Sequence, residues 1–422
     1  MCATISVFAI SILLLIFSDS RAIKADVNDV HPLRIPLEKK LFVRGGDGVF
    51  NMTAAQLSHD HTLRKYQGSC EKYKHARSFW SNRSSLSKSS KSNRQHRRQI
   101  ERLTNQGNQM WTGLVKIGTP SQTFSIDFDT GSGDFWVPSI DCKDHPCGSK
   151  NSYNASASST STQLSDSFKV NYGDGSSTSG NQYRDSVKLA GITIMNQTFA
   201  GVSKMSDSFQ QDPTDGILGL AYPAISHLKS PSFIENAFHQ GLIPSQTFSF
   251  KLANEGGELY LGGVNPSRFI GQLESHPVIR KAYWQIGNGS VDVNGINISK
   301  NAQMIIDSGT TIIYGPKLDV EKLYSSVSGA EKYEKRDGLW KFPCTSAPSV
   351  SFSWNGGSQW AIDPKRISLG KVEVNSAECI GAISSQAVGL NDSWLLGDTF
   401  MSNVYSVFDP VDGGTVAFAK PT

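Results

Sequence analysis

One short pattern occurs twice in this chain, each time between apolar residues. The stretch FDTGSGDFWVPS (128–139) contains Asp129, and MIIDSGTTIIYG (304–315) contains Asp307, which follows Asp129 by 178 residues. The pattern D-[ST]-G-[ST] is expected by chance in about 0.02 chains of this length at average composition. Two copies in matched surroundings therefore indicate a repeated structural unit rather than two unrelated turns.

A second pair of motifs extends the repeat. TDGILGLAY (214–222) and SWLLGDTF (393–400) each place two apolar residues before a glycine. Gly219 follows Asp129 by 90 residues, and Gly397 follows Asp307 by the same 90 residues. The equal offset predicts two related lobes, each of which supplies one aspartate.

The residues after about 110 favour a mostly β fold. Short runs rich in Val, Ile, Phe and Tyr, such as FKVNYGDG and VYSVFDP, are separated by Gly and Asn turns, and only 18% of the 422 residues are charged. The best candidate for a helix is SPSFIENAFHQGL (230–242). We expect two β-rich lobes, residues 99–275 and 276–422, with an active-site cleft between them.

The N-terminus predicts a secretory route. VFAISILLLIF (7–17) is an 11-residue apolar core, short for a bilayer span and typical of a signal peptide over residues 1–22, with an uncleaved anchor as the alternative. Seven N-x-[ST] sequons fit secretion or delivery to a lysosomal or endosomal lumen, although such sequons also arise by chance in Ser/Thr-rich chains. They are the glycosylation candidates Asn51, Asn82, Asn154, Asn196, Asn288, Asn297 and Asn391.

Four cysteines remain outside the signal and the N-terminal extension, and they allow three pairings. The shortest loops join Cys142 to Cys147 and Cys344 to Cys379. CKDHPC (142–147) also permits a metal site, because His145 lies inside it, but no second Cys/His cluster accompanies it. We therefore expect two disulfides, no metal and no cofactor.

Charge is divided unevenly along the chain. Residues 23–98 hold 16 Lys/Arg against 6 Asp/Glu, a net of +10, whereas residues 99–422 hold 24 against 30, a net of −6. A basic arm can bind nucleic acid or an anionic membrane, but the nearest opposite charge is its own acidic body. We predict that residues 23–98 form a prosegment and linker that inhibit the body, with a disordered polar stretch at 81–99 and a dibasic cleavage site at Arg97–Arg98. We expect a monomer with no nucleic-acid partner and no stable membrane span.

The paired aspartates predict hydrolysis by an activated water molecule. If the lobes pack about a pseudo-twofold axis, Asp129 and Asp307 meet at the seam, where two adjacent carboxyl groups cannot both ionise easily. The ionised group can act as a base on a water molecule while the protonated group polarises a carbonyl oxygen, and no covalent intermediate is needed. The turn residues are predicted to support the pair by close packing and hydrogen bonds: Thr130, Gly131, Ser132, Ser308, Gly309 and Thr310. In particular, Ser132 and Thr310 can bond the carboxylates, and Thr130 and Ser308 can bond across the seam.

Over about residues 110–420 the chain resembles the pepsin-like aspartic peptidases, the family of pepsins and cathepsins D and E. The motifs that carry the resemblance are IGTPSQTF (117–124), FDTGS, YGDGS (172–176), DGILGLAYP, IIDSGTT and WLLGDTFMSNVYSVFD (394–409). The resemblance implies an acid endopeptidase acting on proteins or peptides, with Asp129 and Asp307 as the catalytic pair, whose shared proton is an established property of that family. It also implies a flap that contains Tyr172 and Gly173, with Trp136 bonded to the flap tyrosine.

The resemblance also identifies residues that could control latency and specificity. A prosegment lysine is expected to pair with the aspartates, with Lys65 as the first choice and Lys72 as the second. Asp127 and Asp174 occupy positions around the pocket for the residue before the scissile bond, which is usually apolar in the family. Two carboxylates there predict a preference for Lys or Arg. The alternative is that Asp127 bonds a neighbouring hydroxyl and Asp174 only solvates the flap.

Two other classes of protein compete with the protease interpretation. An inactive pepsin-like binding protein or inhibitor would usually lack a catalytic aspartate or the flap tyrosine, but this chain has all three. A structural or adhesive glycoprotein is supported only by the sequons. Serine-hydrolase and zinc-protease motifs, G-x-S-x-G and H-E-x-x-H, are missing from the sequence. We therefore predict a secreted acid endopeptidase that is made as an inactive precursor.

Overall fold

The structure is a computed structural model that describes residues 31–39, 44, 47–66, 111–143, 145–171, 177–210, 212–253, 255–390 and 392–422. Within these ranges the α-helices, apart from short 3-10 turns, are α1 (Met52–Tyr66), α2 (Phe233–His239), α3 (Lys317–Ser325), α4 (Pro364–Ile367) and α5 (Asp398–Met401). The strands are β1 (Leu33–Lys39), β2 (Trp111–Ile117), β3 (Gln122–Asp129), β4 (Phe135–Pro138), β5 (Thr162–Asn171), β6 (Ser177–Leu189), β7 (Ile192–Met205), β8 (Gly216–Gly219), β9 (Phe248–Lys251), β10 (Gly257–Leu261), β11 (Phe269–Lys281), β12 (Trp284–Val293), β13 (Ile296–Ile306), β14 (Ile313–Tyr314), β15 (Glu331–Lys332), β16 (Trp340–Pro343), β17 (Val350–Trp354), β18 (Trp360–Ala361), β19 (Ser368–Lys371), β20 (Glu378–Gly381), β21 (Ile383–Ser384), β22 (Ser393–Leu396), β23 (Tyr405–Asp409) and β24 (Thr415–Pro421). The predicted mostly β class is confirmed.

Two groups of strands surround the two aspartate motifs and have the same local topology. In the first group, β3 runs parallel to β8, which carries the apolar-apolar-Gly motif, and β8 also pairs antiparallel with β4. In the second group, β13 runs parallel to β22, which carries the equivalent motif, and β22 also pairs antiparallel with β14. The sequence repeat is therefore a structural repeat in which equivalent strands pair in equivalent ways.

A further antiparallel sheet joins the two groups and includes the N-terminal arm. Its strand order is β1-β10-β9-β23-β24-β11, so strands from the end of the chain lie between β9 and β11. Strand β1 extends this sheet at its edge, with Leu33 opposite Leu261. Ile35 and Leu37 are buried and Arg34 and Pro36 are exposed, the alternation expected of an edge strand with one covered face.

Helix α1 was not predicted from the sequence, because its apolar residues are few. Asn51 caps its N-terminus by accepting a hydrogen bond from the backbone N–H of Ala54 at 3.0 Å. Arg64 and Lys65 lie in its last turn, where a positive charge interacts favourably with the helix dipole. The helix buries a face that is mostly polar, so its packing depends on specific partners in the body rather than on hydrophobic burial: Ser58, His61, Thr62, Arg64, Lys65 and Tyr66.

Helix α2 lies inside the predicted stretch 230–242 and has a complete capping box. Ser232 Oγ accepts from the backbone N–H of Glu235, and the Glu235 side chain accepts from the backbone N–H of Ser232. In the part of the chain that the structure describes, no helix is both long and apolar enough to cross a membrane.

Candidate active site

The two aspartate turns are built in the same way at the ends of two strands. β3 ends at Asp129, whose backbone C=O accepts from the N–H of Leu220 at 2.8 Å, just beyond Gly219. β13 ends one residue before Asp307, whose N–H donates to the C=O of Leu396 at 3.1 Å, just before Gly397. The glycines of the sequence repeat thus lie directly beside the aspartate turns. The residues that are separated by the same offset of 90 in the two halves are therefore neighbours in space in both.

Thr130 and Ser308 join the two turns across the seam. The backbone N–H of Thr130 donates to Ser308 Oγ at 3.1 Å, and the backbone N–H of Ser308 donates to Thr130 Oγ1 at 2.9 Å. Each hydroxyl also donates to a backbone carbonyl of the opposite strand, to Ile306 at 3.0 Å from Thr130 and to Phe128 at 2.7 Å from Ser308. These buried reciprocal bonds fix the register of the two aspartates.

The glycines of the turns bring the carboxylates together. A methyl group at Gly131 would lie 2.7 Å from Asp307 Oδ1, and one at Gly309 would collide with Asp129 Oδ1. Each glycine N–H donates to the carboxylate of its own turn at 2.9 Å, Gly131 to Asp129 and Gly309 to Asp307. Any larger residue would separate the two acids.

The hydroxyl groups next to the glycines both act on the aspartate of their own turn. Thr310 Oγ1 donates to Asp307 Oδ2 at 2.5 Å, as its position in the motif predicts. The Ser132 side chain interacts with the Asp129 carboxyl and helps to lower its pKa. The repeat therefore extends from the backbone to this pair of hydroxyls.

The last turn of α1 lies on the carboxylates. Lys65 Nζ donates to Asp129 Oδ1 at 3.0 Å and to Asp307 Oδ2 at 2.6 Å, and Tyr66 Oη donates to Asp307 Oδ2 at 2.9 Å. Lys65 is the first of the two lysines named from the sequence; Lys72 lies outside the described residues. The ammonium group of Lys65, on a helix of the same chain, therefore lies between the two aspartates.

Burial and charge push the pKa values of this cluster in different directions. Burial tends to raise the pKa of Asp129, but the ammonium of Lys65 outweighs it and holds the pKa below its usual value. Burial raises the pKa of Asp307, and the nearby Asp129 carboxylate adds to the effect. For Lys65, burial favours the neutral form, but Asp129 and Asp307 outweigh it and raise the pKa above that of an ordinary lysine. Both effects stabilise an ionised Asp129 beside a charged Lys65.

Helix α1 makes further charged contacts with the acidic body. Arg64 Nη1 lies 3.2 Å from Asp212 Oδ2, and its guanidinium carbon lies 4.2 Å above the ring of Phe209. In the N-terminal arm, Arg34 forms an ion pair with Glu258, which is buried. These pairs agree with the opposite net charges of arm and body.

Asp127 points to the same face of β3 as Asp129 and is fully buried. No described residue donates a hydrogen bond to either of its oxygens, so the predicted alternative of a neighbouring hydroxyl is not what the structure shows. The imidazole of His61 on α1 lies beside it, with Nε2 3.8 Å from Asp127 Oδ2. Sequence analysis missed His61, although its position four residues before Lys65 puts both on one helix face.

The flap is only partly described. Tyr172, Gly173 and Asp174 lie outside the described residues, between the ends of β5 and β6. Trp136 is buried in β4 and packs edge-on against Phe209, with ring centroids 5.7 Å apart. Its predicted bond to the flap tyrosine stays a prediction.

A trio of potential metal ligands is present in the cluster. Atoms of His61, Asp127 and Asp129 that could bind a metal lie within 4.8 Å of one another. The ammonium of Lys65 already bonds Asp129 in the same space, so a metal cation would meet an adjacent positive charge. The donor set therefore fits an ammonium or another organic cation better than a metal ion.

The structure contains both predicted disulfides and describes five of the seven sequons. Cys142–Cys147 and Cys344–Cys379 both form disulfides, which confirms the predicted pairing. Of the sequons, Asn82 and Asn391 lie outside the described residues. The others are exposed or half-buried: Asn51, Asn154, Asn196, Asn288 and Asn297.

Comparison with known proteins gives a consistent result. A family model described as eukaryotic aspartyl protease matches residues 110–421. The chain is 41% identical over 325 residues to an aspartic protease of Phaffia rhodozyma, covering 75% of this chain and 78% of the relative. It is 38% identical over 311 residues to cathepsin E of Aquarana catesbeiana, covering 70% and 76%. It is 34% identical over 320 residues to pepsin A of Sus scrofa, covering 73% and 81%.

Proposed function

We propose that this chain, which belongs to the eukaryotic aspartyl protease family and is an aspartic-type endopeptidase, uses Asp129 and Asp307 to activate the attacking water. Asp129 and Asp307 are both fully buried and adjacent, so the two carboxyl groups cannot both ionise easily and one of them keeps a proton. Two adjacent carboxyl groups whose pKa values differ can divide the roles of base and acid. Of Asp129 and Asp307, the ionised carboxylate takes a proton from water while the protonated group donates one to the peptide carbonyl oxygen, and the water oxygen bonds to the carbonyl carbon as the C=O π bond opens. The tetrahedral intermediate then collapses: the C–N bond breaks, the amine nitrogen takes the proton that came from water, and a hydroxyl proton returns to the other carboxylate as the C=O bond re-forms.

We further propose that the chain is made as an inactive precursor. The observation that carries this proposal is the position of Lys65, within 3.0 Å of Asp129 and 2.6 Å of Asp307. A peptide cannot reach either carboxylate while α1 lies there. Because the Lys65 contacts require ionised carboxylates, acid weakens them as the carboxyl groups become protonated. Acid then releases α1 and opens the site at a pH at which one of the two aspartates can hold the proton that the reaction needs.

The route and processing of the precursor follow from sequence features. Residues 1–22 have the pattern of a secretory signal, and two disulfides suit an oxidising compartment. We infer delivery to the cell exterior or to a lysosomal or endosomal lumen, removal of residues 23–98 near Arg97–Arg98, and action as a monomer on proteins and peptides.

The test compares the purified precursor with three variants on denatured globin, from about pH 3 to about pH 7. Wild type should cleave only after exposure to acid. Asp129→Asn and Asp307→Asn should each lower kcat by about a thousandfold or more, because the two groups act as one unit. Asp166→Asn, which changes an exposed aspartate of β5, is the matched control and should behave as wild type. An amide variant that keeps more than a few per cent of the activity would contradict the mechanism.

A further inference from the structure

A short segment before α1 also lies on the body, away from the two aspartates. This segment, residues 47–50 and here called the arm segment, pairs with β19, which ends the strand order β15-β16-β20-β19. The N–H of Phe50 donates to the C=O of Lys371 at 2.8 Å, and the N–H of Lys371 donates to the C=O of Gly48 at 2.9 Å. The arm segment therefore adds a strand to the edge of this sheet, with Val49 opposite Lys371 in parallel register.

The side chain of Phe50 anchors the arm segment in the body. It is 7% exposed, and its ring packs edge-on against Tyr333, with ring centroids 6.2 Å apart. Both rings belong to one buried apolar cluster, which also contains Leu339, Leu369 and Ile380 of the body. A pocket for one large apolar side chain, here called the Tyr333 pocket, therefore lies beside the edge of β19.

Gly370 allows another backbone to approach this edge closely. It lies in β19 with a φ of +126°, and a methyl group there would lie 2.9 Å from both the Gly48 carbonyl oxygen and the Phe50 nitrogen. Any side chain at this position would push the added strand away. Gly370 belongs to the body, so the edge keeps this property when the arm is removed.

The Tyr333 pocket is continuous with the catalytic cleft. The apolar cluster around Phe50 also includes Tyr66, whose hydroxyl donates to Asp307. Helix α1 joins the two ends, and its 15 residues span about 20 Å. An extended chain rises about 3.3 Å per residue, so it covers that distance in about six residues. One substrate segment can therefore reach both the pocket and the aspartates.

We propose that the edge of β19 and the Tyr333 pocket form an exosite of the activated enzyme. The exosite binds an extended segment of a protein substrate that carries a large apolar residue, such as Phe, about six residues from the scissile bond. The proposal rests on the proposed function, because removal of residues 23–98 would uncover this surface.

The substrate segment would repeat the bonds of the arm segment. One of its carbonyl groups would accept from the N–H of Lys371, and the N–H of its anchor residue would donate to the carbonyl of Lys371. Proline is excluded as the anchor because it has no N–H. The backbone bonds suit many sequences, and the Tyr333 pocket selects the aromatic or large aliphatic anchor.

The first experiment measures kcat/KM of the activated enzyme for long peptides that differ only at the anchor. Phe is compared with Ala at about five to eight residues before the scissile bond and, in a second series, after it. At one position the Phe peptide should be cleaved about tenfold better, through a lower KM at unchanged kcat, because the exosite binds substrate and transition state alike. N-methylation of the anchor amide removes its bond to Lys371 and should return the ratio to about one. A ratio near one at every position would overturn the proposal.

Enzyme variants test the pocket itself. Tyr333→Ala should remove the preference for Phe, and Tyr333→Phe, which keeps the ring, should retain it. Val374→Ala is the matched control, since Val374 is 62% exposed shortly after β19. A short peptide that ends before the anchor should be cleaved equally by all these forms, and a wild-type preference in Tyr333→Ala would overturn the proposal. If Tyr333→Ala does not fold, the N-methylated peptide decides the question alone.

The second experiment measures binding without turnover. The peptide RGGDGVFN, residues 44–51, is titrated against Asp307→Asn enzyme whose arm has been removed by an added protease. It should bind about tenfold more tightly than its Phe50→Ala version. In wild type it should inhibit cleavage of the long Phe peptide but not of the short peptide. Equal binding of the two versions, or equal inhibition of the two substrates, would overturn the proposal.

The titration also separates the two hypotheses. If no peptide is cleaved by any form, the proposed function fails, but the binding ratio still decides whether the surface takes an apolar anchor. If the peptides are cleaved and the ratio is near one, the exosite fails and the proposed function stands.

Discussion

Lys65 Nζ lies 2.6 Å from Asp307 Oδ2, an oxygen that also accepts from Tyr66 at 2.9 Å and from Thr310 at 2.5 Å. Two of these three donors belong to α1 and only Thr310 belongs to the body. In the proposed precursor, the two donors from α1 would leave together. Asp307 would then lose both at once and become available for the proton that we propose it shares with Asp129.

The first prediction concerns the strength of this contact. Lys65→Met should weaken the docking of α1 at neutral pH by about 3–5 kcal/mol, because it leaves two buried carboxylates without their cation. Hydrogen exchange of the α1 amides in the intact precursor should become faster by about a hundredfold or more.

Lys188→Met is the matched control, since Lys188 is exposed on β6 and far in sequence from the aspartates. Its exchange pattern should equal that of wild type. Unchanged exchange in Lys65→Met would show that other contacts of α1, such as that of Arg64 with Asp212, hold the helix instead.

The parts of this site that the sequence predicts are those that depend on local strand and turn geometry. The Asp129 and Asp307 turns could be paired because the same residues recur at the same spacing, and the strands that carry them pair in the same parallel way, β3 with β8 and β13 with β22. The Thr130–Ser308 bonds follow from the same symmetry.

Other features depend on contacts between distant segments and could not be predicted in this way. The contact of His61 with Asp127 requires a helix of low hydrophobicity to dock on a surface that forms only after the body folds. The pairing of Leu33 with Leu261 likewise joins residues more than 200 positions apart.

The second prediction concerns the pH at which α1 is released. Burial and Arg336 lower the pKa of His59 to about 4, and burial and Lys65 lower that of His61 to about 3. Both histidines are neutral when docked, so their contribution to docking is present above about pH 6.5 and is lost as the pH falls toward these values. At about pH 5 the docking of α1 is therefore less favourable by about 2 kcal/mol for each of the two histidines.

Replacing both histidines by Gln should therefore move the release of α1 to a lower pH. Glutamine does not bind a proton in this range, so acid no longer weakens docking at these two positions. Activity of the precursor after incubation at stepped pH values measures the midpoint. His239→Gln, an exposed change in α2, should leave the midpoint in place. A midpoint that stays constant or rises in the double variant would mean that the carboxyl groups alone control release.

The third prediction concerns the seam. Thr130→Val removes the acceptor of the Ser308 N–H and the donor to the Ile306 carbonyl, all in buried surroundings, and should lower the free energy of unfolding by about 1–3 kcal/mol. Ser308→Ala removes the equivalent bonds to Thr130 and Phe128. Because the two side chains share partners, the double variant should lose less than the sum of the single losses.

Urea unfolding measures these values, and Thr162→Val, an exposed change in β5, is the control with an expected loss below about 0.5 kcal/mol. Strict additivity would show that the two hydroxyls act separately and that the seam is held elsewhere.

The last prediction concerns the glycines of the repeat, which we expect to position the aspartates although they lie outside the turns. A methyl group at Gly219 would lie 2.5 Å from the carbonyl oxygen of Ser132 and 2.6 Å from the backbone nitrogen of Asp134. Both atoms are backbone, so the Asp129 turn must move to make room. Gly219→Ala should lower the free energy of unfolding by about 1–3 kcal/mol. The same shift should lower kcat about a hundredfold, because a displacement near 1 Å is enough to misplace a catalytic group.

Gly287→Ala is the control for this prediction. Its new methyl group would meet only the Ile279 side chain at 3.3 Å, which can rotate away, so the free energy of unfolding and kcat should both change little. A Gly219→Ala enzyme with normal kcat would show that the turn tolerates the shift and that the spacing of 90 residues reflects packing alone.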